Sequence, residues 1–305
     1  MRVLHVTRDY PPASKGGMST AVWGLARATA QAGARVGVIS FDGWRSRGGS
    51  PNAPVPIAAQ GPDGVSVIRG SNPAHLNEMT RFGRDFEPTV VHVHSGMLWS
   101  FAVTLGVEAP RLFNVHVAQT LLNRWRGLTE ETHSSRGYNQ AVAEADGVVV
   151  PDAELQRMLV AEDPDLERRS TVIPFGIDDT EMARAAVARR EAGDVGSALL
   201  YVGRFADVKG TAELLEVLAQ VSRAHGDLPI RIVGGIPGSP KKARRWRRRF
   251  EEKLPAKADW TLTGWLSSGD VSRELADARV LLVPSHMETF GLVALEGMDG
   301  LPVTS

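Results

Sequence analysis

The chain has 305 residues, 43% hydrophobic and 23% charged, which are globular proportions and exclude disorder, collagen or coiled coil as descriptions of the whole. Thirty-five Lys and Arg balance 35 Asp and Glu, so no chain-wide field of either sign exists to hold nucleic acid. Zero cysteine excludes disulfides, thiolate nucleophiles, zinc fingers and iron–sulfur ligation together.

Short runs rich in Val, Ile and Leu recur along the chain. Residues 2–7 (RVLHVT), 35–40 (RVGVIS), 65–69 (VSVIR), 90–94 (VVHVH), 112–115, 147–150 and 171–173 come first. After a polar, Ala- and Arg-rich stretch follow 198–202 (ALLYV), 230–233, 260–263, 279–283 and 302–304. Near-continuous apolar runs predict strands buried on both faces. Segments with helical spacing, such as 18–32 and 208–224, lie between most of them. This alternation predicts α/β architecture with parallel sheets. The series runs twice, with a break near 173–179 (IPFGIDD). Residues 1–175 and 176–305 are therefore expected as two Rossmann-like domains facing across a cleft, with ligands at the carboxyl ends of strands. No run reaches the roughly 18 apolar residues of a spanning helix, and no apolar stretch of signal-peptide length precedes Pro11. A soluble, cytoplasmic protein is expected.

The common nucleotide and hydrolase fingerprints are absent: G-x-x-x-x-G-K-[ST], G-x-G-x-x-G after the first strand, and G-x-S-x-G. Gly16 and Gly17 open the first helix instead. Glycines there admit a ligand to the backbone and free N–H groups suit an anion, although a tight turn alone would explain the pair. His92 and His94, two apart on a predicted strand, share a face. A metal site is one reading, but no third ligand lies nearby; a polar contact for His94 and a structural role for His92 are preferred. His116 follows the strand 112–115, where α/β sheets place functional side chains. Asp163-Pro164-Asp165 fits a metal-binding D-x-D but sits in a charged, proline-containing turn and reads as solvated loop.

The run 203–210 (GRFADVKG) places Arg204 and Lys209 at a strand's carboxyl end, where two cations suit a diphosphate; surface ion pairs are the alternative. In residues 284–296 (PSHMETFGLVALE) a strand ends at proline, a turn follows, and a helix begins near Phe290 or Gly291. The helix start at Phe290, Gly291 and Leu292 can receive phosphate oxygens. Glu288 precedes it and can meet a bound nucleotide sugar, while Glu296 inside it can accept from ribose hydroxyls. Acidic residues in early helical turns also stabilise helices without any ligand. Residues 241–250 (KKARRWRRRF) carry seven cations in ten, with Trp246 and Phe250 spaced i, i+4. That stripe either gives weak contact with an anionic membrane surface or packs on the sheet, and the acidic Glu251 and Glu252 that follow favour packing.

Taken in order, the Gly16–Gly17 opening, His116, the G-R-x-x-x-x-K-G run and the E-x7-E pair Glu288/Glu296 resemble a retaining family 4 glycosyltransferase of the GT-B fold. The resemblance implies that Arg204 and Lys209 hold the donor diphosphate, that Glu288 contacts the donor sugar and that Glu296 contacts the ribose. It sets His116 at the sugar, the loop around Gly264 beside the base, and the Gly16–Gly17 loop beside phosphates and acceptor. It further implies an acceptor-side domain over 1–175 and a nucleotide-sugar-binding domain over 176–305. The implied reaction moves a sugar from a nucleoside-diphosphate sugar to an acceptor hydroxyl on a glycolipid, polysaccharide or natural-product oligosaccharide. Configuration is retained, by a front-face route without Glu288 as covalent nucleophile, and no metal, other cofactor or nucleic acid takes part. Residues 296–302 (EGMDGLP) are about one residue shorter than the family's E-A-M-A-x-G-x-P, and the family's closing helices have no counterpart after it, so a chain cut short at its C-terminal end is expected. A nucleotide-sugar-binding protein without turnover and a sugar-phosphate-forming synthase on the same fold are the alternatives.

Overall fold

The run RVLHVT forms β1 (Arg2–Thr7), its last five residues buried, as expected of a central strand covered on both faces. The computed structural model describes residues 1–12, 16–42, 58–61, 63–176, 196–236, 239–298 and 303–304. The boundary residues 177–179 and the short stretch 299–302 singled out from sequence lie outside these. Contacts divide the chain into units Met1–Gly176 and Ile177–Ser305.

In the first unit β1 is joined by β2 (Arg35–Ser40), β3 (Ala59–Gln60), β4 (Ser66–Arg69), β5 (Val90–Val93), β6 (Arg111–Asn114), β7 (Gly147–Val150) and β8 (Ser170–Val172). The sheet order is β3-β4-β2-β1-β5-β6-β7-β8. Every pairing is parallel except β3 with β4. That edge strand has two residues, both exposed, so no apolar run announces it. The helix Gly17–Gln31 lays Val22 and Ala26 on Val36, Val38 and Val67. The loop after β1 is pinned by Arg69, which donates to the Tyr10 carbonyl at 2.9 Å and pairs with Asp42.

The second unit is a five-stranded parallel sheet of β9 (Ala198–Arg204), β10 (Ile230–Gly235), β11 (Trp260–Gly264), β12 (Ala278–Leu282) and β13 (Val303–Thr304), ordered β11-β10-β9-β12-β13. On one face the helix Thr211–Ala224 buries Leu214, Leu215 and Leu218 against Ile230, Ile232 and Phe250. On the other, Leu275 from the helix Ser268–Asp277 joins Leu200, Val233 and Leu281. The cationic segment forms the helix Pro240–Lys253. Its stripe faces inward: Phe250 is fully buried, Trp246 is partly buried, and both rings lie within 5.8 Å of Phe205. Burying such an aromatic is worth about 1.5–3 kcal/mol, which ties the stripe to the sheet and leaves only the cationic face outward. The packed reading thus accounts for Trp246 and Phe250, and nothing supports the membrane contact. Among the described residues, no helix is long and apolar enough to cross a membrane.

Candidate active site

In the second unit the carboxyl ends of β9, β10, β11 and β12 carry most of the residues expected at a donor site. Strand β9 runs two residues further than its apolar run, because Gly203 and Arg204 pair with Gly234 and Gly235 of β10. Exposed Arg204 therefore ends the strand itself. Phe205 is buried as an anchor, and a short turn Asp207–Lys209 follows. Thr211 Oγ1 closes this loop by accepting from the Ala206 N–H at 2.9 Å and donating to the Ala206 carbonyl at 3.0 Å.

Gly210 lies between the turn and its helix with φ 60°, and a Cβ there would stand 1.7 Å from the Pro284 carbonyl oxygen. Only glycine allows that approach. It brings the segment after β12 against the loop after β9, and the His286 N–H donates to the Val208 carbonyl at 3.0 Å. The result is a direct contact: Lys209 Nζ donates to Glu288 Oε1 at 2.5 Å, and Ser285 Oγ donates to the same oxygen at 2.7 Å. Tyr201 Oη donates to the Arg204 carbonyl at 3.0 Å. The charges of both Arg204 and Glu288 bear on this phenol, whose pKa burial pushes up.

The helix after this turn spans Leu292–Met298, starting a residue or two later than its spacing predicts, because Gly291 at φ 75° takes a left-handed conformation before it. The Leu295 N–H donates back to the Gly291 carbonyl. Phe290 and Leu292 flank that glycine. Glu296 lies just over one turn in, half-buried, and burial lifts its pKa from 4.5 to about 7. Gly264 ends β11 with φ 77°. Lys209 and Glu288 are thus in contact, while Arg204, Gly264 and Gly291 share the same sheet edge. Ser285 and Thr211, which orient the pair and its loop, were not singled out from sequence; a hydroxyl in a turn carries no local signal for its distant partner.

In the first unit Gly16, at φ 142°, precedes the helix Gly17–Gln31, whose first turn closes through the Thr20 N–H on the Gly16 carbonyl. This loop leaves β1, and His116 follows β6, so both belong to that sheet's carboxyl edge. His116 stacks on Phe175 with ring centroids 4.9 Å apart and 10° between planes. Its Nε2 lies 3.0 Å from His94 Nδ1, and His94 Nε2 lies 2.9 Å from His5 Nδ1. His92 is buried beside them. Burial holds all four imidazoles well below their ordinary pKa, so the rings are neutral. His5 is the third histidine that the His92/His94 spacing lacked. It sits opposite His92 in the β1–β5 register, which no sequence pattern reveals. His5, His92 and His94 can each offer a nitrogen within 4.8 Å of the others, a spacing that suits a metal. Burial first, and then the neighbouring histidines, disfavour the charged form of His5, His94 and His116.

Asp163 and Asp165 are occupied by arginine. Arg169 pairs with both, and Arg168 and Arg169 hold the Asp165 carboxyl below its ordinary pKa.

Comparison with known proteins identifies the family and the fold. The family model Glycosyltransferase Family 4 matches residues 15–181, and Glycosyl transferases group 1 matches residues 191–303. The chain is 27% identical to glycogen synthase of Mycobacterium tuberculosis over 97% of its own length and 75% of that enzyme. Among solved structures it resembles sucrose-phosphate synthase of Thermosynechococcus elongatus, with TM-score 0.72 and 21% identity over 99% of this chain and 80% of that one. Anabaena HepE in complex with UDP-glucose gives TM-score 0.69 at 15% identity, over 99% of this chain and 79% of that one. Two α/β sheets, parallel but for the edge strand β3, a family match over more than half the chain and these likenesses lead to one conclusion: the chain belongs to glycosyltransferase family 4 and is a glycosyltransferase of the GT-B fold.

Proposed function

We propose that the protein moves a sugar from a nucleoside-diphosphate sugar to an acceptor hydroxyl, retaining the anomeric configuration and using no metal. The observation that carries this reading is the 2.5 Å contact of Lys209 Nζ with Glu288 Oε1, which joins loops 79 residues apart at the carboxyl edge of one sheet. As the anomeric bond breaks, negative charge grows on the diphosphate and positive character on the sugar. Arg204, Lys209 and the amides at Phe290, Gly291 and Leu292 stabilise the leaving diphosphate where its charge appears. Glu288 positions Lys209 through Oε1 and keeps Oε2 for hydroxyls of the donor sugar. Glu296 accepts from the ribose, and the turn at Gly264 borders the base. In the acceptor-side domain, His116 meets the sugar and the Gly16–Gly17 loop meets phosphates and acceptor.

UDP-glucose bound to HepE supports a nucleotide-sugar donor. Retention rests on the resemblance to retaining members of the family. The arginine pairing of Asp163 and Asp165 supports a route that does not recruit a metal there. A synthase whose acceptor is a sugar phosphate is the second reading, favoured by the likeness to sucrose-phosphate synthase. A thermal-shift panel of UDP, GDP, ADP and dTDP tests the donor site. The matching nucleotide at 100 times its Kd should stabilise the fold by about 2.7 kcal/mol. Offering the corresponding nucleotide sugar with plain and phosphorylated acceptors, and reading the product anomer by NMR, then decides acceptor class and stereochemistry. No stabilisation by any of the four nucleotides overturns the reading.

A further inference from the structure

An unbroken line of hydrogen bonds crosses the first unit: His5 Nδ1 to His94 Nε2 at 2.9 Å, and His94 Nδ1 to His116 Nε2 at 3.0 Å. Strand pairing builds it. The β1–β5 register sets His5 opposite His92, the two-residue strand period carries His94 to the same face nearer the carboxyl edge, and β6 delivers His116 beyond that edge.

A neutral imidazole has one N–H donor and one acceptor nitrogen, so the two bonds are coupled. The middle ring must donate through one nitrogen and accept through the other. Two proton arrangements satisfy both bonds. In the first, His5 donates from Nδ1 to His94, and His94 donates from Nδ1 to His116, which leaves the proton of His116 on its own Nδ1. In the second, donation runs inward and leaves the proton of His5 on Nε2. Among the described residues, His5 Nε2 is buried with no hydrogen-bond partner. A buried N–H without an acceptor is the rarer defect, whereas a bare ring nitrogen there leaves only a lone pair unfilled. The outward arrangement wins.

We propose that His5 and His94 are positioning residues that hold His116 in its Nδ1-protonated tautomer, so that the ring presents a hydrogen-bond donor to an oxygen of the bound sugar. The proposal rests on the placement of His116 at the sugar under the function above, and deepens it. Phe175, stacked on the His116 ring, fixes the plane in which that donor points. In the opposite tautomer Nδ1 would be an acceptor, and the same ring would select a hydroxyl oriented to donate.

The test is a long-range ¹H–¹⁵N spectrum of the ¹⁵N-histidine-labelled full chain at about pH 7, well above the lowered pKa of every ring in the line. His116, assigned by loss of its signals in His116→Gln, is expected with a pyrrole-type Nδ1 and a pyridine-type Nε2. A proton on Nε2 overturns the proposal. His5→Leu removes the donor at the buried end and should shift His116 toward the Nε2-protonated form, with kcat/KM falling about tenfold or more while donor Kd stays within about twofold. His5→Asn keeps a side-chain N–H at the position and should keep the wild-type tautomer. An unchanged His116 tautomer in His5→Leu removes His5 from the role; if that variant does not fold, the wild-type and Asn spectra decide. Full donor turnover in His116→Ala alongside the expected tautomer would sink the sugar-binding role and leave the tautomer standing, so the two readings fail separately.

Discussion

Glu288 holds Lys209, whose side chain is about one-quarter exposed, so the ammonium stands in a restricted orientation at the sheet edge. Preorganised donors of this kind are where catalytic electrostatics concentrate. Lys209→Ala should lower kcat/KM by about 10²–10³. Steady-state kinetics with the identified donor checks this, and wild-type turnover would remove Lys209 from the diphosphate. Glu296 behaves differently. Burial raises its pKa from 4.5 to about 7, so across that window the folded protein holds a proton the unfolded chain has released, and stability falls as pH rises. Glu296→Gln cannot ionise. Its Tm relative to wild type should therefore climb from about pH 5 to about pH 8, with little difference in acid. A pH-independent difference in melting profiles would show that burial does not burden the carboxylate. The spacing after the predicted strands made Arg204, Lys209, Glu288 and Glu296 legible in the chain. The hydrogen bond between Lys209 and Glu288 was not, because 79 residues separate its partners.

Elements are legible in the sequence where their signal is local. The runs RVLHVT, RVGVIS and GVVV are strands at the residues their apolar patterns mark. Differences arise where neighbours intervene: β10 extends β9 through Gly203 and Arg204, and β3 exists only because β4 offers it an edge. The helix Pro240–Lys253 illustrates the limit from the other side. Its sequence marks an amphipathic cationic helix, but only packing on Phe205 shows that the apolar stripe is already used. Gly210 joins two elements of the site. Gly210→Ala would place a methyl 1.7 Å from the Pro284 carbonyl while holding a left-handed φ of 60°. Backbone on both sides cannot yield cheaply, so a loss of about 1–3 kcal/mol is expected, together with weaker nucleotide binding as the Lys209–Glu288 contact opens. Thermal unfolding and nucleotide titration measure both; a wild-type Tm would refute the close approach.

At the scale of the whole molecule, 35 cations face 35 acids, so a diphosphate is drawn by local arrangement rather than by net field. Because the proposed leaving-group charge falls on Arg204, Lys209 and amides, an excess of chelator should leave donor turnover within about twofold. A tenfold loss restored by a divalent ion would overturn the metal-free route. The amino-acid sequence alone determined the alternation of strands and helices and the loops that carry cations and acids. Apolar runs, helical spacing and glycines at turns act over a few residues, and each can be read where it stands. Tertiary structure alone decided which strands are neighbours, and with that the row His5–His94–His116 and the joining of Lys209 to Glu288. Backbone pairing between segments tens of residues apart sets those meetings, and no local pattern states which strand will lie beside which.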